Sequence, residues 1–125
     1  MAKARTTGGA ARASFRKSLD GLAARLKDSR RIRKGNVLLR VAGAEAGDYI
    51  VECSDAGVRI NEGTGVSMDP LPVLEVFGDS NTIRAIIDGE KDPVRQFYAG
   101  GIRIRGDLRY FSDVALELGI LKEPL

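Results

Sequence analysis

Histidine is absent from the 125 residues, and cysteine occurs once, at Cys53. Without histidine there are no Ser-His or Cys-His nucleophilic pairs and none of the usual zinc or non-haem iron ligands. Only unusual carboxylate or lysine chemistry is left for an enzyme. Asp92 and Asp107 read instead as helix caps, and no two carboxylates have a sequence reason to meet. The lone cysteine excludes an internal disulfide and gives no sign of an oxidising compartment. No window approaches the roughly 20 apolar residues that cross a bilayer, and no short apolar run follows the basic start as in a secretory signal. These absences predict a non-catalytic protein with no metal and no cofactor, soluble and intracellular. At this length one domain with a real core is expected, since folding hides roughly two-thirds of the chain's surface.

Charge of one sign is scarce at the start of the chain. Residues 1–34 hold eleven Lys or Arg against Asp20 and Asp28, a balance of +9, whereas residues 35–125 hold nine basic and fifteen acidic side chains, a balance of −6. Met1 to Arg12 is small, polar and basic, with too little apolar content to offset the entropy of ordering, so a mobile tail is expected there. From Ala13 to about Arg31, Phe15, Leu19, Leu22 and Leu26 recur at i, i+4, i+7 and i+11, one stripe of an amphipathic helix that Lys34 and Gly35 end. Arg16, Lys17, Arg25, Lys27, Arg30 and Arg31 cover the rest of that helix. Three uses compete for it: the stripe packs on the sheet with the arginines solvated, the basic face meets an anionic membrane surface, or it meets an acidic protein partner or nucleic acid. Nucleic acid is the least expected of these. An Arg- and Ala-rich, acid-poor start also mimics an organellar transit peptide, but the stripe looks needed by the fold.

Five strands follow from alternation of apolar and charged residues: Asn36 to Val41, Tyr49 to Cys53, Val58 to Ile60, Leu74 to Val76, and Ile102 to Ile104. Arg40, Glu52, Arg59, Glu75, Arg103 and Arg105 take the opposite positions, so one face of the sheet should be charged and wet and the helices should crowd the other. The turns between strands are rich in Gly, Asp, Glu and Pro. Gly63, Thr64 and Gly65 suggest a phosphate loop only superficially, since no Lys-Ser/Thr follows and no helix starts there.

The densest stretch is Val76 to Leu121. Asp79 sits where an N-cap should, placed to accept the amide of Thr82, and Ile83, Ile86 and Ile87 fall on one helical face. Gly89 suits a left-handed C-cap. Asp92 and Pro93 repeat the start signal for a short helix carrying Phe97, which Gly100 and Gly101 break. Ile102 to Arg105 alternate as a strand, and Gly106 and Asp107 turn into and cap a closing helix from Leu108 to Leu118.

The order and spacing of Gly89, Asp92, Pro93, Phe97, Gly100, Ile102, Ile104, Gly106, Asp107 and Leu108 resembles the sterol carrier protein 2 family in its small bacterial stand-alone form. The detailed pattern covers about a third of the chain. The resemblance implies an α+β fold, a five-stranded, mostly antiparallel mixed sheet with helices packed on one face, and a lipid-binding cavity between sheet and helices. It does not identify the lipid. It also implies that the closing helix and the tail border that site. The end Lys122, Glu123, Pro124, Leu125 lacks the peroxisomal tripeptide of animal relatives, which favours a bacterial cytoplasm.

The closing helix is apolar over more than one stripe, and Ile120, Leu121 and Leu125 extend the surplus, which calls for a ligand, a dimer partner or a membrane. A hydrocarbon gains about 0.8 kcal/mol per buried methylene, so an apolar pocket can hold a long chain with no catalytic group. Candidate lining residues are Leu74 and Val76, then Ile83, Ile86 and Ile87, then Phe97, Ile102 and Ile104, and finally Phe111, Ala115 and Leu118. Each is equally well placed to be plain core. Tyr98 and Tyr110 are expected at an entrance, hydroxyls toward water. The expected function is a binding and transfer module for a sterol-like, fatty acyl or isoprenoid lipid. The alternative is an accessory or scaffold subunit with a filled pocket, docking a partner or copies of itself through the basic N-terminal helix and apolar C-terminus.

Overall fold

The computed structural model describes residues 2–27, 29, 32–62 and 71–125, with side chains from Phe15 onward. The chain runs α1 (Ala2–Lys27), β1 (Gly35–Ala42), β2 (Gly47–Ser54), β3 (Gly57–Glu62), β4 (Leu74–Asp79), α2 (Ser80–Ile87), α3 (Pro93–Ala99), β5 (Ile102–Gly106) and α4 (Leu108–Glu117). The strands form one sheet in the order β3-β2-β1-β4-β5. All neighbours are antiparallel except β1 and β4, which pair in parallel with Leu39 opposite Val76. This is the mixed α+β arrangement expected.

Alternation decides the inner face. Leu39, Val41, Tyr49, Val51, Cys53, Leu74, Val76 and Ile102 join one buried cluster with side chains from α1, α2 and α4. The stripe of α1 lies entirely within it, Phe15 1% and Leu19 0% exposed, and the ring of Phe15 packs on that of Tyr49 at 5.1 Å. Each such side chain contributes about 1.5–3 kcal/mol by leaving water. The helix thus serves the fold before it serves any partner.

Several expectations are corrected. The helix begins at Ala2 rather than near Ala13, and ends at Lys27 rather than near Arg31. Gly35 opens β1 instead of closing the helix, and a Cβ there would come within 3.0 Å of the Val73 side chain, a close approach that glycine permits. The outer sheet face is charged but not uniformly wet: Leu38 and Ile50 lie opposite one another across β1 and β2 and are 1% and 3% exposed. Around them the register sets opposite charges across from each other, Glu52 facing Arg59 and Glu75 facing Arg105.

The caps follow the sequence closely. Asp79 caps α2 by accepting from the amide of Asn81 at 3.0 Å, one residue earlier than expected. Asp92 accepts from the amide of Val94 and Asp107 from that of Tyr110, each at 3.0 Å. Gly100, at φ 82°, takes the left-handed conformation that ends α3, which costs glycine nothing. Gly63 to Gly65 fall outside the described residues.

Candidate ligand cavity

Between the inner sheet face and the helices lies a cavity of about 90 Å³ with no polar wall. The sheet supplies Val37, Leu39, Val51, Cys53, Leu74, Val76 and Ile102; α1 supplies Leu22 and Leu26; α2 supplies Ile83, Ile86 and Ile87; α4 and the chain after it supply Phe111, Val114, Ala115, Leu118 and Ile120. The sheet and three helices thus converge on one hydrophobic hollow. An apolar hollow of this kind excludes water and favours hydrocarbon.

Of the sequence-derived candidates, Leu74, Val76, Ile83, Ile86, Ile87, Ile102, Phe111, Ala115 and Leu118 stand in the wall. Phe97 and Ile104 do not. Phe97 is 45% exposed on α3, its ring set edge-on against that of Tyr98, and Ile104 is half-buried at the margin of the core. Both belong to the β5 edge, where the sheet has no further strand to shelter them. The lining from α1, β1 and β2 was absent from the candidates, although the alternation of Val37, Leu39, Val51 and Cys53 already put those residues on the same face. Their wall role was invisible because periodicity states a face, not which part of the face borders a void.

Tyr110 is not at an entrance. It is 1% exposed, and its hydroxyl donates to the carbonyl of Arg33 at 2.8 Å. Burial above all, with the neighbouring Cys53, pushes its phenol well above the usual range. The Cys53 thiol is likewise pushed up by burial, which the neighbouring Tyr110 side chain opposes only in part. A thiol held protonated in an apolar wall is a poor nucleophile. Cys53 should therefore resist alkylation by iodoacetamide at pH 7.5, at least about tenfold slower than in urea-unfolded protein, which intact-mass measurement checks.

The basic face of α1 is partly committed. Arg16 pairs with Asp20 at 3.1 Å and Glu62 at 3.0 Å, tying α1 to the end of β3. Arg25 donates to the carbonyl of Ile87 at 3.0 Å and of Leu118 at 3.2 Å. Those carbonyls close the last turns of α2 and α4, where a cation meets both orphan acceptors and the negative end of the helix dipole. One guanidinium thereby fastens three helices around the cavity. Arg25→Ala should destabilise the protein by about 1–3 kcal/mol in urea unfolding, and Arg25→Lys should recover only part because an ammonium lacks the planar fork. Lys17 and Lys27 are exposed, and Arg30 and Arg31 fall outside the described residues. The tail is less free than its composition suggests: Leu121 is 8% exposed, while Leu125 remains 61% exposed.

Among the described residues no cluster of His, Cys, Asp or Glu is arranged to hold a metal ion. Among them also, no helix is long and apolar enough to cross a membrane.

This architecture has solved counterparts. Against palmitated SCP2L2 from Aedes aegypti, solved in solution, the TM-score is 0.59 at 18% identity, covering 86% of this chain and 95% of that one. Against sterol carrier protein 2 from Yarrowia lipolytica it is 0.56 at 14% identity, covering 82% and 85%. The chain has the sterol carrier protein 2 fold. The same fold occurs within a larger enzyme, the stereoselective inverting sec-alkylsulfatase from Pseudomonas sp., with TM-score 0.61 and 17% identity over 82% of this chain and only 15% of that one. No protein-family model and no curated protein matches the chain. The sterol carrier protein 2 fold is thus established by shape, at identities where sequence alone carries little signal.

Proposed function

We propose that the protein is a non-catalytic carrier that binds and transfers a lipid, enclosing its hydrocarbon in the apolar cavity between the sheet and the helices. The observation that carries this reading is the wall itself, apolar throughout and built from α1, α2, α4 and four strands. The shared fold with a palmitated protein supports an acyl or similarly shaped cargo, whether fatty acyl, sterol-like or isoprenoid. No hydrogen-bonding group in the wall selects a headgroup, so chain length and girth set preference.

The volume sets a condition on this reading. About 90 Å³ is smaller than the roughly 150 Å³ that accepts a benzene ring in an engineered core. A long chain therefore enters only as a wall yields. The wall best suited to yield is α4, which approaches the sheet mainly at β4 and is fastened at its end through Arg25. Purified protein analysed by native mass spectrometry and lipid extraction should carry copurified lipid, and should take up a fluorescent fatty acid. Protein with neither bound lipid nor uptake overturns the carrier reading.

The small volume also favours a second reading, an accessory or scaffold subunit in which the same fold keeps a nearly filled pocket. Docking through α1 then involves exposed side chains such as Lys17 and Lys27, and docking through the C-terminus Leu125 and its neighbours. Light scattering on protein lacking residues 122–125 tests this: a self-associating scaffold loses mass, a carrier does not.

A further inference from the structure

We propose that the free β5 edge of the sheet, with α3 and the first turn of α4, is a docking surface for an anionic lipid bilayer. Two independent features coincide there. Phe97, Tyr98 and Leu108 are 45%, 84% and 51% exposed, three of the five large hydrophobic side chains that the described part of the molecule leaves to solvent. Arg95, Arg103, Arg105 and Arg109 are all exposed, and among the described residues none is in an ion pair. Within residues 93–111 the one carboxylate is Asp107, already engaged by the amide of Tyr110 and by Arg33 at 2.9 Å; from outside that stretch Glu75 faces Arg105 across β4 and β5, and Asp48 and Asp79 share a surface hollow with Arg103. Residues 93–111 therefore carry four arginines against one acid, +3, inside a stretch, 35–125, whose balance is −6.

The strand order explains why these residues share a place. β5 is the last strand, α3 packs against it, and α4 begins directly after it at Leu108. Arginines beside protruding aromatic and aliphatic side chains are the composition of an interfacial anchor: the apolar groups enter the headgroup boundary while guanidinium groups pair with phosphate and carboxylate. A protein partner needs a matching pocket for each protruding ring, whereas a fluid interface deforms around them. Charges along the edge also discourage addition of another strand. The surface continues into α4, whose Phe111 and Ala115 wall the cavity, so docking brings the bilayer against the helix that hydrocarbon must pass. The inference goes beyond the carrier reading and is tested without any measurement of carriage.

The experiment is flotation with vesicles of phosphatidylcholine containing 30% phosphatidylglycerol, and with pure phosphatidylcholine, at 50 mM and 500 mM NaCl. Wild-type protein should bind the anionic vesicles at low salt, weakly at high salt, and the neutral vesicles little. The variant Arg95→Gln, Arg103→Gln, Arg105→Gln, Arg109→Gln should bind the anionic vesicles at least about a hundredfold more weakly. Tyr98→Ser with Leu108→Ser should weaken binding about tenfold at both salt concentrations, and Lys17→Gln with Lys27→Gln should change it less than threefold. All changed side chains are exposed, and circular dichroism verifies the fold. The proposal is overturned if wild-type protein fails to float, if the lysine variant loses binding as fully as the arginine variant, or if soluble polyglutamate competes off the wild-type protein while the serine variant binds undiminished, which assigns the surface to an acidic polymer. Fatty acid uptake without vesicles, run in parallel, reports on the carrier reading separately.

Discussion

The substitution Ala115→Trp should reduce uptake of a fluorescent long-chain fatty acid at least tenfold while leaving the protein folded. Ala115 is 2% exposed in the middle of α4 and faces a hollow of about 90 Å³, so an indole at this position fills the space a hydrocarbon would take. Overpacking costs about 1–3 kcal/mol, which a domain with about 5–15 kcal/mol of stability survives. Val114→Trp, at a half-buried wall position, is the gentler second variant. Phe97→Trp is the matching negative control, because Phe97 stands outside the wall and half in solvent. Uptake measured by fluorescence titration decides: loss in both wall variants with retention in Phe97→Trp supports the cavity, whereas full uptake by a folded Ala115→Trp protein places the ligand elsewhere.

The second large effect is on stability. Phe15→Ala should cost about 3–5 kcal/mol, since it removes a ring that is 1% exposed and packed on Tyr49, and leaves a hole that rigid strands cannot collapse into. Lys17→Ala, two residues on and exposed, should change stability by less than about 0.5 kcal/mol. Urea unfolding of both variants distinguishes a structural α1 from one that is free to leave and dock. Equal, small effects would mean that α1 is peripheral; the burial of Phe15, Leu19, Leu22 and Leu26 in the sheet core predicts the opposite.

Much of the architecture was legible because it depends on local rules. Asp79, Asp92 and Asp107 cap helices because their short carboxylates reach the free amides of the first turn, and Gly100 ends one because only glycine turns left-handed without cost. Alternation placed all five strands and the inner face correctly, since side chains on a strand have no choice but to alternate. The same reasoning failed where burial depends on neighbours distant in sequence: Leu38 and Ile50 lie on the charged face and are nonetheless buried.

By itself, then, the sequence determined the capped helices, the strands, the absence of histidine-based chemistry and the apolar character of one sheet face. Only the tertiary structure decided which apolar residues border the cavity, that Phe97 and Ile104 do not, and that Arg25 donates to the carbonyls that end two helices. The physical reason is that periodicity and capping act within one element, over a few residues. A void, or a guanidinium shared between the carbonyls of Ile87 and Leu118, exists only where several elements meet, and the meeting is set by how whole faces pack.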